Sequence, residues 1–283
     1  MSSEIEHVSD TAYWVAAYRA LESERPDAVF HDRLASLLVG ERGRAIERQM
    51  PGRKLMSFVM VVRTSAIDRL ILHALDRGVD AVLNLGAGLD TRPYRMALPN
   101  ALHWVEADFP ATIAHKNEKL ANEAPVCKLE RVALDLSMRA ERQALLKRVA
   151  ENSRKVLLLT EGVIPYLKDD EVERLAEDIV AEPKFEFWIQ DYYTAEARRH
   201  RPSWRKKLKA APFQFSAPDW FGFFARFGFR PLEQITIGEE AARIRRAPPP
   251  PLSFFFRLLP RKWRARAGSR VGYALLERVP DKK

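Results

Sequence analysis

Ala81-Val82-Leu83-Asn84-Leu85-Gly86-Ala87-Gly88-Leu89-Asp90-Thr91-Arg92 carries the reading of the whole chain. The mostly apolar run before Gly86 reads as a strand buried on both faces. It runs into Gly-Ala-Gly, where missing side chains let the backbone come close to a ligand. Asp90 or Thr91 is placed to cap a following helix, with Pro93 tolerated in its first turn. Strand, glycine turn and helix in that order predict a ligand crevice at the carboxyl end of the strand.

A G-x-G alone also fits an ordinary tight turn, so its flanks must discriminate. A dinucleotide fingerprint wants a third glycine where this chain has Thr91, to let helix and strand pack closely around a pyrophosphate. Its absence favours a nucleoside ligand without phosphates, S-adenosylmethionine ahead of NAD. The next apolar run, Leu102-His103-Trp104-Val105-Glu106-Ala107-Asp108, ends in two acids 20 and 22 residues beyond Gly86. Acids there accept hydrogen bonds from ribose hydroxyls in such folds. Glu106 and Asp108 are two apart and share one side of an extended strand, so both are candidates. Solvated acids at a strand end are the plainer alternative.

Around this centre, apolar runs and helical periodicities alternate. Strands are expected at 81–86, 103–107, 128–134, 156–160 and 185–190, with helices near 110–123, 139–151 and 169–180. Gly228-Phe229-Arg230-Pro231 can start a sixth strand, and the apolar run from Val271 a seventh. Alternation of this kind predicts an α/β fold with a doubly wound, mostly parallel sheet. Seven strands with a late pair fit a methyltransferase-type sheet whose last strand inserts antiparallel. Three helical stretches precede the turn: one capped by Ser9 or Asp10, one near 32–38 and one near 55–75. The expected division is a single domain: 1–78 helical cap, 79–192 cofactor core, 193–270 basic aromatic lid, 271–283 final strand and tail.

Composition narrows the function. The 283 residues hold 47% hydrophobic residues, enough for a sizeable core, with no apolar run of transmembrane length. Cys127 is the only cysteine, which rules out a disulfide scaffold. The six histidines show no metal-ligand spacing, so no metal is expected. No basic stretch followed by an apolar one opens the chain, and a cytoplasmic location is the default expectation. The net charge of +9 is uneven: residues 198–270 hold 18 Lys+Arg against 4 Asp+Glu, a net +14, leaving −5 elsewhere. Such asymmetry bears on partners rather than on fold.

Taken together, 84–92, Glu106-Ala107-Asp108-Phe109-Pro110 and Thr160-Glu161-Gly162-Val163-Ile164-Pro165-Tyr166-Leu167 closely resemble the leucine carboxyl methyltransferase family, in particular its bacterial S-adenosylmethionine-dependent branch, many of whose members are tied to secondary metabolites. Thr11-Ala12-Tyr13-Trp14 and the segment through Asp32 resemble that family's opening, so the likeness spans about residues 9–192. It implies a class I methyltransferase fold with S-adenosylmethionine as cofactor. By the same resemblance Arg63 pairs with the cofactor's carboxylate, a task suited to a bidentate guanidinium. Gly86, Ala87 and Gly88 admit its amino-acid portion, Asp108 holds the ribose, and Asp135 with Leu136 holds the adenine. Glu161 faces the sulfonium end, a cation there relieving an otherwise unpaired buried carboxylate. Tyr166 is a candidate for the substrate side. Members that methylate a protein phosphatase carry an early lysine; the nearest counterpart here is Arg19, at a different spacing, which argues against a phosphatase acceptor while leaving Arg19 a candidate for positioning substrate.

The expected reaction is methyl transfer to oxygen of a small molecule, preferably a carboxylate, which needs no general base. A phenol or hydroxyl acceptor would need one, with His200 or Tyr192 as candidates. A nucleotide-binding module without catalysis is the alternative of another class. Two aromatic stretches, 220–229 and 254–264, read as a helix packed on the sheet followed by a lid. Three alternatives stand beside that reading: a cationic slot for an acidic ring-containing substrate, a surface for a membrane or acidic carrier protein, and, least favoured, an RNA platform.

Overall fold

The computed structural model describes residues 10–49, 52–194, 196–197, 212–251, 253–254 and 270–279. Seven strands form one sheet: β1 (Ala81–Leu85), β2 (His103–Asp108), β3 (Lys128–Ala133), β4 (Val156–Thr160), β5 (Phe185–Tyr193), β6 (Phe229–Thr236) and β7 (Val271–Arg278). Their spatial order is β3-β2-β1-β4-β5-β7-β6. β1 to β5 run parallel, and β7 lies antiparallel between β5 and β6. The order reverses between β1 and β4, and ligands bind outside the carboxyl ends of strands at such a point.

β1 and β4 are buried along their whole length because both faces are covered. Alternate residues sort to the two sides. Leu83, Val105, Leu158 and Trp188 pack with α6 (Arg139–Glu151) and α7 (Asp169–Val180). Val82, Trp104, Leu157 and Ile189 pack with α3 (Arg53–Asp76) through Val62, Ile67, Leu70 and Ile71. Pro231 sits in β6, an edge strand, at a shift of register, where its missing N–H costs least.

The 220–229 stretch belongs to the core. α8 (Trp220–Ala225) starts on Asp219, which accepts from the Gly222 N–H. Trp188 meets Phe224 and Phe229 edge-on at 5.0 and 5.5 Å, and the Trp220 indole donates to Gln190 at 3.0 Å. Because β6 pairs into the sheet, part of the 193–270 stretch is sheet and not lid. The second aromatic stretch lies almost wholly outside the described residues.

α1 (Asp10–Ser23) and α2 (Arg33–Gln49) form a layer whose buried Ala16, Leu34 and Leu38 meet Leu89 just past the glycine turn. The helix expected near 32–38 is present; Gly40, with φ 53° and ψ −170°, interrupts it, and a second helical stretch continues to Gln49. The helix after the glycine turn is shorter than its sequence suggests: α4 (Arg92–Arg95) is a single turn. Its first amide is satisfied by Asp90, which accepts from the Arg92 N–H at 2.9 Å. Thr91 instead donates its hydroxyl to Asp32 at 2.6 Å. The remaining helices are α5 (Pro110–Lys119) and α9 (Ile237–Arg243).

Candidate functional site

A cavity of about 580 Å³ opens at the carboxyl ends of the parallel strands, beneath α1 and the first half of α3. This is the size of a small-molecule or cofactor pocket. Arg19, Arg63, Gly86, Ala87, Gly88, Asp108, Asp135, Leu136, Glu161 and Tyr166 all line it, so residues spread over 148 positions of sequence are brought together.

The glycine turn lies against β2. The Gly86 N–H donates to the Ala107 carbonyl at 2.8 Å, and the Gly88 N–H donates to Asp108 Oδ2 at 2.7 Å. The other Asp108 oxygen accepts from the Phe109 N–H at 2.7 Å. Two backbone donors thus fix the carboxylate, and each oxygen keeps a lone pair for a ligand hydroxyl. Gly86 is required twice over: its φ is 66°, and a Cβ there would stand 2.6 Å from Val163 Cγ2. Further along, the Leu134 N–H donates to the Asp108 carbonyl at 2.8 Å, carrying the chain directly to Asp135 and Leu136 on the same wall. Asp135 accepts from the Ser137 N–H at 2.9 Å.

Glu106 is the exception, against the expectation that it binds the ribose. It does not line the cavity. Its fully buried carboxylate meets Lys116 Nζ of α5 at 2.7 Å and Arg131 Nε of β3 at 3.0 Å. In register Glu106 lies opposite Arg131, so this acid joins β2, β3 and α5 and has no access to a ribose. Burial pushes its carboxyl up, with Lys116 and Arg131 opposing.

At the opposite end of the cavity the charges are dense. Glu161 Oε1 lies 2.7 Å from Arg63 Nε, and Glu161 Oε2 accepts from Arg92 Nη1 at 2.7 Å. The premise of an unpaired Glu161 therefore fails, since it bridges two arginines. Burial alone would raise its carboxyl, yet Arg63 and Arg92 hold it below the usual range. Arg92 also meets Asp90 at 2.8 Å and Asp68 at 2.7 Å, and Asn84 donates to Asp90 at 2.9 Å. Asp90 and Arg92, read from sequence only as part of a helix start, thus anchor the floor of the site. The signal was available in two opposite charges two residues apart directly after a glycine turn. Asp191, 3.4 Å from Arg63, was missed because β5 runs three residues beyond the expected 190.

On the acceptor side, Tyr166 lies in a short 3₁₀ turn (Ile164–Tyr166), its ring edge-on to Phe213 at 4.9 Å. Trp14, Met56, Val59 and Met60 supply an apolar wall. Arg19 donates from Nε to Asp32 at 2.8 Å and from Nη2 to the Leu89 carbonyl, which ties α1 to the turn after β1. Tyr192 does not serve the site: it packs against Phe221 at 5.0 Å, and burial pushes its hydroxyl up to about 12. Its neighbour Tyr193 lines the cavity instead, as alternation along a strand requires. His200 lies outside the described residues. Among the described residues no group of three or more His, Cys, Asp or Glu could hold a metal ion, and no helix is long and apolar enough to cross a membrane.

The residues present fit an adenosyl amino acid. Asp108 and Asp135 offer acceptors for hydroxyls and an amine, Leu136 an apolar surface for a ring, and Arg63 a guanidinium for a carboxylate.

Comparison with known proteins agrees with that chemistry. The family model for leucine carboxyl methyltransferase matches residues 12–180. A proposed S-adenosyl-L-methionine-dependent methyltransferase of Streptomyces coelicolor is 34% identical over 192 residues, 62% of this chain and 67% of that protein. Another, from Parafrankia, is 31% identical over 260 residues, 83% of this chain and 82% of its own. In structure, the chain is similar to a DUF574 family protein from Streptomyces avermitilis, with a TM-score of 0.59 at 16% identity over 93% of this chain and 97% of that one. It is also similar to a proposed methyltransferase from Thermobifida fusca, with a TM-score of 0.56 at 16% identity over 98% and 95%. Likeness at that level of identity speaks for the fold.

Proposed function

This chain belongs to the leucine carboxyl methyltransferase family and is an S-adenosylmethionine-dependent methyltransferase, and we propose that the atom it methylates is a carboxylate oxygen of a small molecule. When bound, S-adenosylmethionine supplies a methyl group on a sulfonium, with a neutral thioether as leaving group. In this reading Asp108 accepts from the ribose hydroxyls, Asp135 and Leu136 receive the adenine, and Arg63 binds the amino-acid carboxylate. Gly86, Ala87 and Gly88 admit the donor's backbone-like end by bringing no side chain larger than a methyl.

One observation carries the carboxylate assignment. Beyond the groups assigned to the donor, the cavity wall carries Arg19, Arg139, Arg142 and Arg174, guanidiniums whose charge suits an anionic acceptor. A phenol or alcohol needs a base to take its proton, whereas a carboxylate arrives ionised and need only be placed in line with the methyl carbon. Arg19 and Tyr166 are the polar groups we assign to that placement. Arg19 suits the task because Asp32 and Leu89 already fix its guanidinium. The apolar wall of Trp14, Met56 and Met60 keeps water from the acceptor.

The test uses methyl-labelled S-adenosylmethionine with a panel of small carboxylic acids and phenols. The expected product carries label that mild base releases as methanol, the mark of an ester. Label that resists base is an ether and overturns the carboxylate assignment.

A further inference from the structure

Asp191 of β5 is buried beside the donor-binding groups, yet none of the roles above uses it. Its surroundings are specific. Asp191 Oδ2 accepts from the Gly162 N–H at 2.5 Å, while Oδ1 makes no hydrogen bond to a described residue and faces Arg63 Nε at 3.4 Å. Gly162 has a φ of 67°, and a Cβ on it would fall 2.6 Å from Arg63 Nη2. The arginine therefore lies across the glycine, and the aspartate holds both.

Both carboxylates near Arg63 make their closest approach at Nε, Glu161 at 2.7 Å and Asp191 at 3.4 Å. Nε makes no hydrogen bond to a described residue, so the two carboxylates hold the guanidinium by charge at close range and not by a directed bond. Glu161 divides itself between Arg63 and Arg92, whereas the contacts of Asp191 among the described residues are with Arg63 and the glycine beneath it. Tyr273, itself buried, lies opposite Asp191 on β7.

We propose that Asp191 is a positioning residue for Arg63: it secures the guanidinium by its Nε edge and the Gly162 floor below it, so that the two terminal nitrogens face the cavity ready for the donor's carboxylate. The inference rests on the reading of Arg63 as the arginine for that carboxylate. A long, flexible side chain fixed before its ligand arrives loses less freedom on binding, which raises affinity. The prepared fork then matches a carboxylate bidentately. Without the second anion, Arg63 is left to Glu161 alone and its terminal nitrogens are free to follow that carboxylate.

The test compares two ligands on one variant. Asp191→Asn keeps the side chain's size and an oxygen for the Gly162 N–H but removes the charge. Calorimetry is run with S-adenosylhomocysteine and with 5′-methylthioadenosine, which lacks the amino-acid carboxylate. The expected result is a loss of about tenfold in affinity for the first with little change for the second. In the Arg63→Ala background, Asp191→Asn should have no further effect on either ligand. The ratio of the two affinities is insensitive to partial unfolding, because both ligands need the same folded cavity. Equal weakening of both ligands, or of neither, overturns the proposal. If the wild-type protein binds neither ligand, the donor-site reading itself fails, an outcome distinct from a flat ratio on a protein that binds both.

Discussion

Lys116 Nζ lies 2.7 Å from Glu106 Oε2 with neither side chain exposed, and Arg131 reaches the same oxygen at 3.0 Å. The pair joins α5 to β2 at the edge of the donor site without entering it. Removing one partner of a buried pair leaves the other charge without compensation, which is the costly event. Glu106→Gln should therefore destabilise the protein by about 3 kcal/mol. Urea unfolding measures that loss, and calorimetry on the folded variant should find donor affinity unchanged.

Asp108 has the opposite profile. It accepts two backbone N–H bonds, from Gly88 and Phe109, and lines the cavity. Hydrogen bonds to a charged group are each worth about 1.5–3 kcal/mol. Asp108→Ala should weaken S-adenosylmethionine binding by about 10- to 100-fold. Unaltered affinity would remove Asp108 from the ribose.

Gly86→Ala combines a left-handed backbone with a clash, since φ is 66° and Val163 Cγ2 stands 2.6 Å from the new Cβ. A loss of about 1–3 kcal/mol is expected in thermal or urea unfolding. Adding Val163→Ala should recover part of it. The backbone component remains, so full recovery would show that sterics alone require the glycine.

Buried tyrosines set an alkaline limit. Burial pushes the hydroxyls of Tyr18 and Tyr192 up to about 12 and raises that of Tyr273 well above its ordinary value. Their folded values exceed the unfolded one of about 10, so the unfolded chain releases protons first as pH rises. The stability these groups contribute is complete below about pH 10 and is lost progressively above it. Phenolate absorbance followed together with circular dichroism should show that these tyrosines ionise only as the protein unfolds.

Tyr192 and Tyr193 offer a paired comparison within one strand. Tyr192→Phe should leave methyl transfer unchanged, because its ring packs against Phe221 away from the cavity. Tyr193→Phe alters a group on the cavity wall. A loss of turnover in the first variant at intact stability would restore Tyr192 as a candidate base.

Much of the architecture was legible because it follows from local signals. β4, α6 and α7 have the expected bounds, since apolar runs and helical periodicities end there on polar residues. Glycine at 86 and 88 marked the turn because few other residues tolerate those backbone angles. The fate of a charged side chain was harder to read. Glu106 and Asp108 look alike on β2, and only Lys116 and Arg131, arriving from α5 and β3, divide their roles. Likewise Glu161 looks solitary until Arg63 and Arg92 converge on it from α3 and α4. Partners distant in sequence leave no local trace, so the position of a site is easier to read than the ion pairs that build it.

The place of β7, seventh in chain order but sixth across the sheet, has a consequence for biosynthesis. While residues 271–278 are still inside the ribosome, β5 and β6 each show a row of unanswered amides and carbonyls. The nascent chain is therefore most open to wrong strand pairing until residues 271–278 emerge, and a chaperone that shields those rows would do the most good in that interval.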